Sequence, residues 1–287
     1  MNVADAMTPR SEVVTVSIPG TREDALEHLQ GGTFSSIPVV KETDAGEAFR
    51  GLVTREALIE RPDEDQLVLL VDEVPTVTSD ATLVDVARLA RESGGNRVPV
   101  VDDDRLVGIV TVTDIVRALA NDELAGADAA VGDLATREVN TIHRGTPLPV
   151  AQAELDYAEV PYAVVLDDEG DPEGMLTEVD IIEVARVEEG EENTGESIAD
   201  EDDDWKWEGI KATGSRYTPT RNVELPAEPA ARFMTEDLVT VTRERTVKDA
   251  ARLLVSNDIE QLPLMTADDL VGIVRDTDLL AAVVADA

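Results

Sequence analysis

The 287-residue chain contains no cysteine. Disulfides, thiolate zinc sites, iron–sulfur clusters and cysteine nucleophiles are thereby excluded. Only two histidines occur, His28 and His143, too few for a histidine metal site, and both read as ordinary surface or core residues. Aromatic residues are 3% of the chain, and lysine appears only at positions 41, 206, 211 and 248. No run reaches the ~18 consecutive apolar residues that suggest a membrane span. The opening Met1-Asn2-Val3-Ala4-Asp5 lacks a basic-then-apolar signal. A cytoplasmic protein with no membrane partner is expected.

Bases are scarce as well. Lys and Arg total 24 against 62 Asp and Glu, for a formal net charge of −38. The basic footprint that nucleic acid or anionic lipid would require is missing. Acid excess with little lysine resembles proteins from organisms with molar internal salt. Self-repulsion at this charge destabilises the compact state at low salt. At ~1 M salt the Debye length is about 3 Å and most of that repulsion is screened.

What the sequence does contain is repetition. Gly51-Leu52-Val53-Thr54, Gly108-Ile109-Val110-Thr111, Gly174-Met175-Leu176-Thr177 and Gly272-Ile273-Val274-Arg275 are four copies of one strand ending. Each runs into a helical segment. Upstream of each lies a short β-like run, namely Val13-Val14-Thr15-Val16, Val74-Pro75-Thr76-Val77, Val139-Asn140-Thr141-Ile142 and Leu238-Val239-Thr240-Val241. Thr21, Thr82 and Thr246 then stand three residues before Asp24, Asp85 and Asp249, the pattern of an N-capped helix with an acid in its first turn. A proline-bearing strand follows, as in Ile37-Pro38-Val39, Val98-Pro99-Val100 and Leu262-Pro263-Leu264, with Val160-Pro161 as the third copy. On this alignment the proline-to-glycine distance alternates between 13 and 9 residues. That suggests a long–short pair duplicated whole, at residues 1–122 and 129–287.

The expected class is α+β: four β-α-β-β-α units in two pseudo-symmetric pairs. Repeats are placed at 1–62, 69–122, 129–187 and 229–287. A unit of this size buries little by itself, so pairing is expected. Residues 188–228 interrupt the pattern as an insert. Positions 188–204 hold ten acids and no bases and read as a solvated loop. Asp200 to Asp204 lack the alternating spacing and glycine of an EF-hand, so no metal site is expected. Trp205 and Trp207 suggest that the second half of the insert is ordered. Lys206, Lys211, Arg216 and Arg221 are its basic cluster, which fits either a lid over a ligand or a strap across a pair.

These units resemble the cystathionine β-synthase (CBS) domain. The residues that carry the resemblance are Asp5-Ala6-Met7-Thr8 and Arg232-Phe233-Met234-Thr235, the Val-Pro-Val-Val strand, and the Gly-h-h-Thr-x-x-Asp ending. The resemblance implies paired units with clefts for adenosine-containing ligands: AMP, ADP, ATP or S-adenosylmethionine. It implies that Asp114, Asp180 and Asp278 accept hydrogen bonds from ribose, where copy one has Ala57. It gives Thr54, Thr111 and Thr177 a ribose or phosphate role, with Arg275 as a phosphate clamp in copy four. Val77, Val98, Ile142 and Val241 become candidates for an apolar adenine slot. Thr-x-x-Asp after a strand is also an ordinary helix cap. Arg97 faces either a phosphate or one of the many acids.

No catalytic constellation is present, so an enzyme is not expected. The leading expectation is a regulatory sensor whose ligand changes inter-pair geometry, acting on an unidentified protein partner or its own oligomer. The alternative is a structural interaction module with vestigial clefts. Two pairs in one chain permit a monomeric disc or a homodimer.

Overall fold

The computed structural model describes residues 1–29, 36–43, 46–54, 57, 58, 61, 64–184, 186–191 and 219–285, with backbone alone at 182, 186–191 and 219–224. Four mixed sheets recur along the chain. In repeat 1, Val16–Ile18 runs parallel to Ser36–Thr43, which pairs antiparallel with Gly46–Thr54. Repeat 3 repeats this with Thr141–His143, Tyr162–Leu166 and Pro172–Thr177, and repeat 4 with Val241–Thr242, Gln261–Thr266 and Asp269–Arg275. Repeat 2 pairs Arg97–Asp102 with Arg105–Thr111 and reduces the parallel strand to a single bridge, Val77 to Val100.

Register makes the copies comparable residue by residue. The motif glycines Gly51, Gly108, Gly174 and Gly272 lie opposite Val39, Val100, Val165 and Leu264. On the parallel side of those residues stand Val16, Val77, Ile142 and Val241. The residue before each is Pro38, Pro99 or Pro263 in three copies, but Val164 in repeat 3. The alignment through Pro161 is therefore corrected. Val164 keeps an N–H that proline lacks and donates it to the Asn140 carbonyl at 2.9 Å. Pro161 takes the place of Asn96 and Glu260: its carbonyl accepts the first amide of the following helix, from Glu178 at 3.0 Å. Val164 stands ten residues before Gly174, so the 13/9 alternation does not hold.

Helices form where the caps predict. Thr82 caps Leu83–Ser93 in a reciprocal capping box with Asp85, and Thr246 caps Val247–Asn257 through the Asp249 amide. In repeat 1 the Asp24 carboxylate accepts from both the amide and hydroxyl of Thr21, ahead of Arg22–Leu29. Leu148–Ala158 of repeat 3 starts after Pro147 with no side-chain cap.

A reciprocal exchange, which no local sequence pattern announces, joins the repeats. The segment that opens each repeat docks on its partner repeat. Val3, Leu67, Val131 and Ala230, each with no exposed surface, begin these segments. Their amides donate to the carbonyls of Ala81, Gly20, Arg245 and Thr146, each one residue before the next helix cap. Five residues on, Thr8, Asp72, Thr136 and Thr235 pair antiparallel with Ile109, Leu52, Ile273 and Met175. Repeats 1 and 2 thus trade opening segments, and so do repeats 3 and 4. The motif glycines permit it. A Cβ on Gly108 would stand 2.6 Å from both Met7 Sδ and the Thr8 carbonyl oxygen. On Gly51 it would stand 2.3 Å from the Asp72 carbonyl oxygen, and on Gly174 and Gly272 it would stand 2.9 Å from those of Thr235 and Thr136.

The chain divides into two compact units, Met1–Val139 with Leu238–Ala287, and Asn140–Asp237. Each dividing point follows an exchanged segment. In the first unit, helix Val112–Ala120 packs on Val247–Asn257, and Leu83–Ser93 packs on Asp276–Ala285. Small residues such as Ala87, Ala118, Ala250 and Ala251 line this continuous core, which explains why repeats 2 and 4 fall together. Repeat 1 keeps its own core of Val16, Ala25, Leu29, Ile37, Val39, Val53 and Leu58, closed by Leu67 and Leu70 of the exchanged segment. In the second unit, Ile142, Leu148, Leu155, Val165, Leu176 and Ile181 are closed by Ala230 with Phe233 and Met234. That unit also contains a two-stranded ribbon of Arg186–Glu191 and Pro219–Glu224. Residues 188–191, expected as loop, are therefore strand. Asp200 to Asp204, Trp205, Lys206, Trp207, Lys211 and Arg216 lie outside the described residues, as does the Arg221 side chain.

Candidate functional site: the strand-to-helix junction

Each candidate site is built where the third strand ends and a helix begins. Thr111 is the last residue of its strand, with extended φ and ψ of −120° and 165°, and caps Val112–Ala120. Its amide and hydroxyl donate to Asp114 Oδ2 at 2.9 and 2.8 Å, and the Asp114 amide donates back to Thr111 Oγ1 at 3.3 Å. Thr177 and Asp180 form the same arrangement, at 2.7, 2.7 and 3.4 Å. In repeat 1 the Thr54 hydroxyl accepts the Ala57 amide at 3.0 Å, and the chain offers no carboxylate there. The capping role of this motif is thus realised in repeats 1 to 3.

Capping does not exhaust an ionised carboxylate, whose two oxygens accept about four hydrogen bonds. The amide and hydroxyl of Thr111 both fall on Oδ2 of Asp114. Its Oδ1 takes Arg117 Nη1 at 2.8 Å, and the Asp114 side chain keeps 11% of its surface exposed. Acceptor capacity therefore remains on a half-buried carboxylate at a helix N-terminus. Its negative charge also suits the helix dipole there.

Repeat 4 differs. The Arg275 amide donates to Asp278 Oδ2 at 2.9 Å, while Nε approaches the same oxygen at 3.5 Å and Nη2 reaches Oδ1 at 3.2 Å. The next residue, Asp276, is half-buried, and its amide donates to the Glu260 carbonyl at 2.8 Å. Burial, together with the Glu260 charge, raises the Asp276 carboxyl to about 6.

The neighbouring strand contributes a second row. Ser36, Arg97, Tyr162 and Gln261 lie opposite Thr54, Thr111, Thr177 and Arg275. Arg97 Nη1 reaches across from repeat 2 to the Ser36 carbonyl of repeat 1 at 3.4 Å. Ser36, Thr54, Arg97, Thr111 and Asp114 are thereby gathered at the meeting edge of repeats 1 and 2. Ser36 and Arg117 went unnoticed in the sequence. The place of Ser36 depends on cross-strand register, and Arg117 is one arginine among many.

The four apolar candidates fall into two classes. Val77, Ile142 and Val241 hold one register position, filled in repeat 1 by Val16. Val98 sits at another, beside Ile37, Ala163 and Leu262 in the other copies. Val98 and Val241 are buried in the core of the first unit, Val77 packs against that core, and Ile142 belongs to the core of repeat 3. His143 is engaged locally, with Nε2 3.0 Å from Asp168 Oδ1 and Nδ1 accepting the Gly145 amide. Among the described residues, no group of three or more His, Asp or Glu is arranged to hold a metal. No helix among them is long and apolar enough to cross a membrane.

Comparison with known proteins supplies the family. The chain is similar to protein MJ1404 of Methanocaldococcus jannaschii, 27% identical over 279 residues, covering 97% of this chain and 61% of that protein. It thus spans about three-fifths of the length of this curated relative. Its fold is similar to the crystal structure of a conserved protein from Pyrococcus horikoshii, with a TM-score of 0.68, 27% identity and coverage of 99% and 100% of the two chains. It also resembles protein MJ1225 of M. jannaschii, with a TM-score of 0.65, 18% identity and coverage of 98% and 99%, a likeness of fold. The CBS domain family model matches residues 3–64, 68–121, 131–186 and 230–285. With four matched copies and four repeats of one sheet register, the chain belongs to the CBS domain family.

Proposed function

We propose that this protein is a regulatory, non-catalytic sensor that binds an adenosine-containing ligand in clefts between paired CBS units. The observation that carries this reading is the carboxylate of Asp114. It is fixed by Thr111 at a helix N-terminus, retains acceptor capacity on Oδ1, and belongs to the edge where Arg97 reaches Ser36. A carboxylate held in this way suits two adjacent ribose hydroxyls through charge-assisted bonds. Thr54 and Arg97 flank it, and a guanidinium suits phosphate, so AMP, ADP or ATP fits the repeat 1–2 edge. Asp180 with Thr177 is the equivalent group in repeat 3 and takes AMP, ADP, ATP or S-adenosylmethionine. Val77 with Val98 in repeat 2, Ile142 in repeat 3 and Val241 in repeat 4 are each the apolar candidates of their own copy, and Asp278 with Arg275 holds the equivalent position in repeat 4.

Ligand binding acts as a signal only if two arrangements of the protein bind it unequally. The readout passes to a protein partner or to a second copy of the chain. Binding of AMP, ADP, ATP and S-adenosylmethionine to the wild type tests the reading, and saturable binding of at least one is expected. A second reading, an interaction module, is favoured by the apolar surface of repeat 3. Tyr157 is 89% exposed there, with Val179 at 66% and Val150 at 48%. Absence of ligand binding by a folded protein that still captures a partner would favour that second reading.

A further inference from the structure

Repeat 4 departs from the other three repeats at one position. Its last strand residue is Arg275, where Thr54, Thr111 and Thr177 stand elsewhere. The short threonine hydroxyl and its amide both fall on one carboxylate oxygen, Oδ2, in repeats 2 and 3. Arg275 instead spans both oxygens of Asp278, with Nε toward Oδ2 and Nη2 on Oδ1, while its amide adds a third donor. At 3.5 and 3.2 Å this is a loose form of the two-nitrogen fork through which guanidinium and carboxylate pair. Two adjacent ribose hydroxyls would need the same paired acceptor edge. Asp114 also receives three donors, two from Thr111 and one from Arg117, but Arg117 meets Oδ1 alone, from the helix, and its side chain is 54% exposed against 37% for Arg275.

The surroundings act in the same direction. At the position of Arg97 in repeat 2, repeat 4 has Gln261. At the position of buried Val112 it has Asp276, beside Glu260. A phosphate in repeat 4 therefore meets Arg275, already paired with Asp278, in place of Arg97, together with two added carboxylates.

We propose that Arg275 is a specificity-determining residue that occupies the carboxylate of Asp278 and keeps adenosine ligands out of the repeat 4 site. The four-repeat chain then carries fewer working sites than it has Thr-x-x-Asp-like motifs. This inference rests on the adenosine-sensor reading above.

The test is titration calorimetry of the full chain in about 2 M KCl, chosen for screening. The probes are AMP and, because of Glu260 and Asp276, S-adenosylmethionine. The proteins are wild type, Arg275→Thr and the double variant Arg275→Thr, Asp278→Ala. Threonine is the residue that caps the helix in the other copies, and thermal melting checks that each variant folds. Stoichiometry is expected to rise by about one equivalent in Arg275→Thr for at least one probe, by the one-acceptor argument. It should return to the wild-type value in the double variant. Wild-type binding with unchanged or weakened binding in a folded Arg275→Thr overturns the inference alone, since a phosphate clamp would behave that way. A gained equivalent that survives Asp278→Ala overturns it as well. Failure of every protein to bind either probe, or ADP or ATP, overturns the sensor reading and this inference together.

Discussion

Gly108 and Thr8 lie 100 residues apart in sequence and in contact in the fold, so that a Cβ on Gly108 would stand 2.6 Å from the Thr8 carbonyl oxygen. The contact repeats at Gly51, Gly174 and Gly272 with Asp72, Thr235 and Thr136. The motif glycine therefore serves the exchange of opening segments. That accounts for its presence in all four copies, while the threonine and aspartate each fail in one.

Gly108→Ala is accordingly expected to destabilise the protein by about 1–3 kcal/mol, as overpacking does. Gly94→Ala is the control. It removes a helix-capping glycine at φ 71° with open space around it, at a cost of about 1 kcal/mol. Hydrogen exchange separates the two: amide protection at Met7 and Thr8 should fall in Gly108→Ala and persist in Gly94→Ala. Equal protection in both variants would remove the exchanged segment from this account.

Asp276 gives the stability a defined pH dependence. Its carboxyl is raised to about 6, first by burial and then by Glu260. A folded-state value above the unfolded one means that the folded protein holds the proton more tightly. The resulting stability is complete below the unfolded value of 3.8 and is lost as pH rises through about 6. Asp85 acts oppositely: hydrogen bonds from Thr82 lower its carboxyl, and its contribution is lost only as pH falls below the ordinary range. Asp276→Asn should therefore stabilise the protein at neutral pH, by at most about 3 kcal/mol for a shift of this size. Urea unfolding at pH 7 and pH 4 checks it, and the gain should vanish at the lower pH. A gain of equal size at both would contradict the assignment.

Two threonine caps separate stability from binding. Thr82→Ala removes a cap remote from the Gly-h-h-Thr motif and should cost about 1 kcal/mol, leaving nucleotide affinity as in wild type. Thr111→Ala should cost a similar amount and weaken binding as well, because Thr111 holds Asp114 in place. Calorimetric affinity and chemical unfolding of both variants provide the comparison. Equal affinities would reduce the Thr111–Asp114 pair to a cap.

The net charge is −38, and among the described residues no charged residue is fully buried. We propose that molar salt stabilises the fold by screening this repulsion. The thermal midpoint should rise steadily from about 0.1 to 2 M KCl, the range over which the Debye length shrinks severalfold. A flat or falling midpoint would count against adaptation to salt.

Much of the fold was legible in the residues themselves. Thr21, Thr82 and Thr246 marked helix starts because capping is local chemistry, and the four Gly-h-h endings marked strands because alternation and turn are local too. The exchange was hidden because Val3 and Ala81, or Ala230 and Thr146, are brought together by tertiary packing. Repeat 3 misled because Pro161 and Val164 lie three residues apart, and only the ladder shows that Val164 takes the place of proline in the other copies. At the site, the Thr111–Asp114 and Thr177–Asp180 pairs were visible as spacing. The reach of Arg97 to Ser36 and the fork of Arg275 on Asp278 depended on rotamer and register.

The most direct test of the sensor reading is titration of AMP, ADP, ATP and S-adenosylmethionine into wild type and into Asp114→Ala, Asp180→Ala, at about 2 M KCl for screening. Saturable binding of at least one ligand to wild type, lost in the folded double variant, is the predicted result. Binding of the same strength to both proteins, or none to a folded wild type, would contradict it.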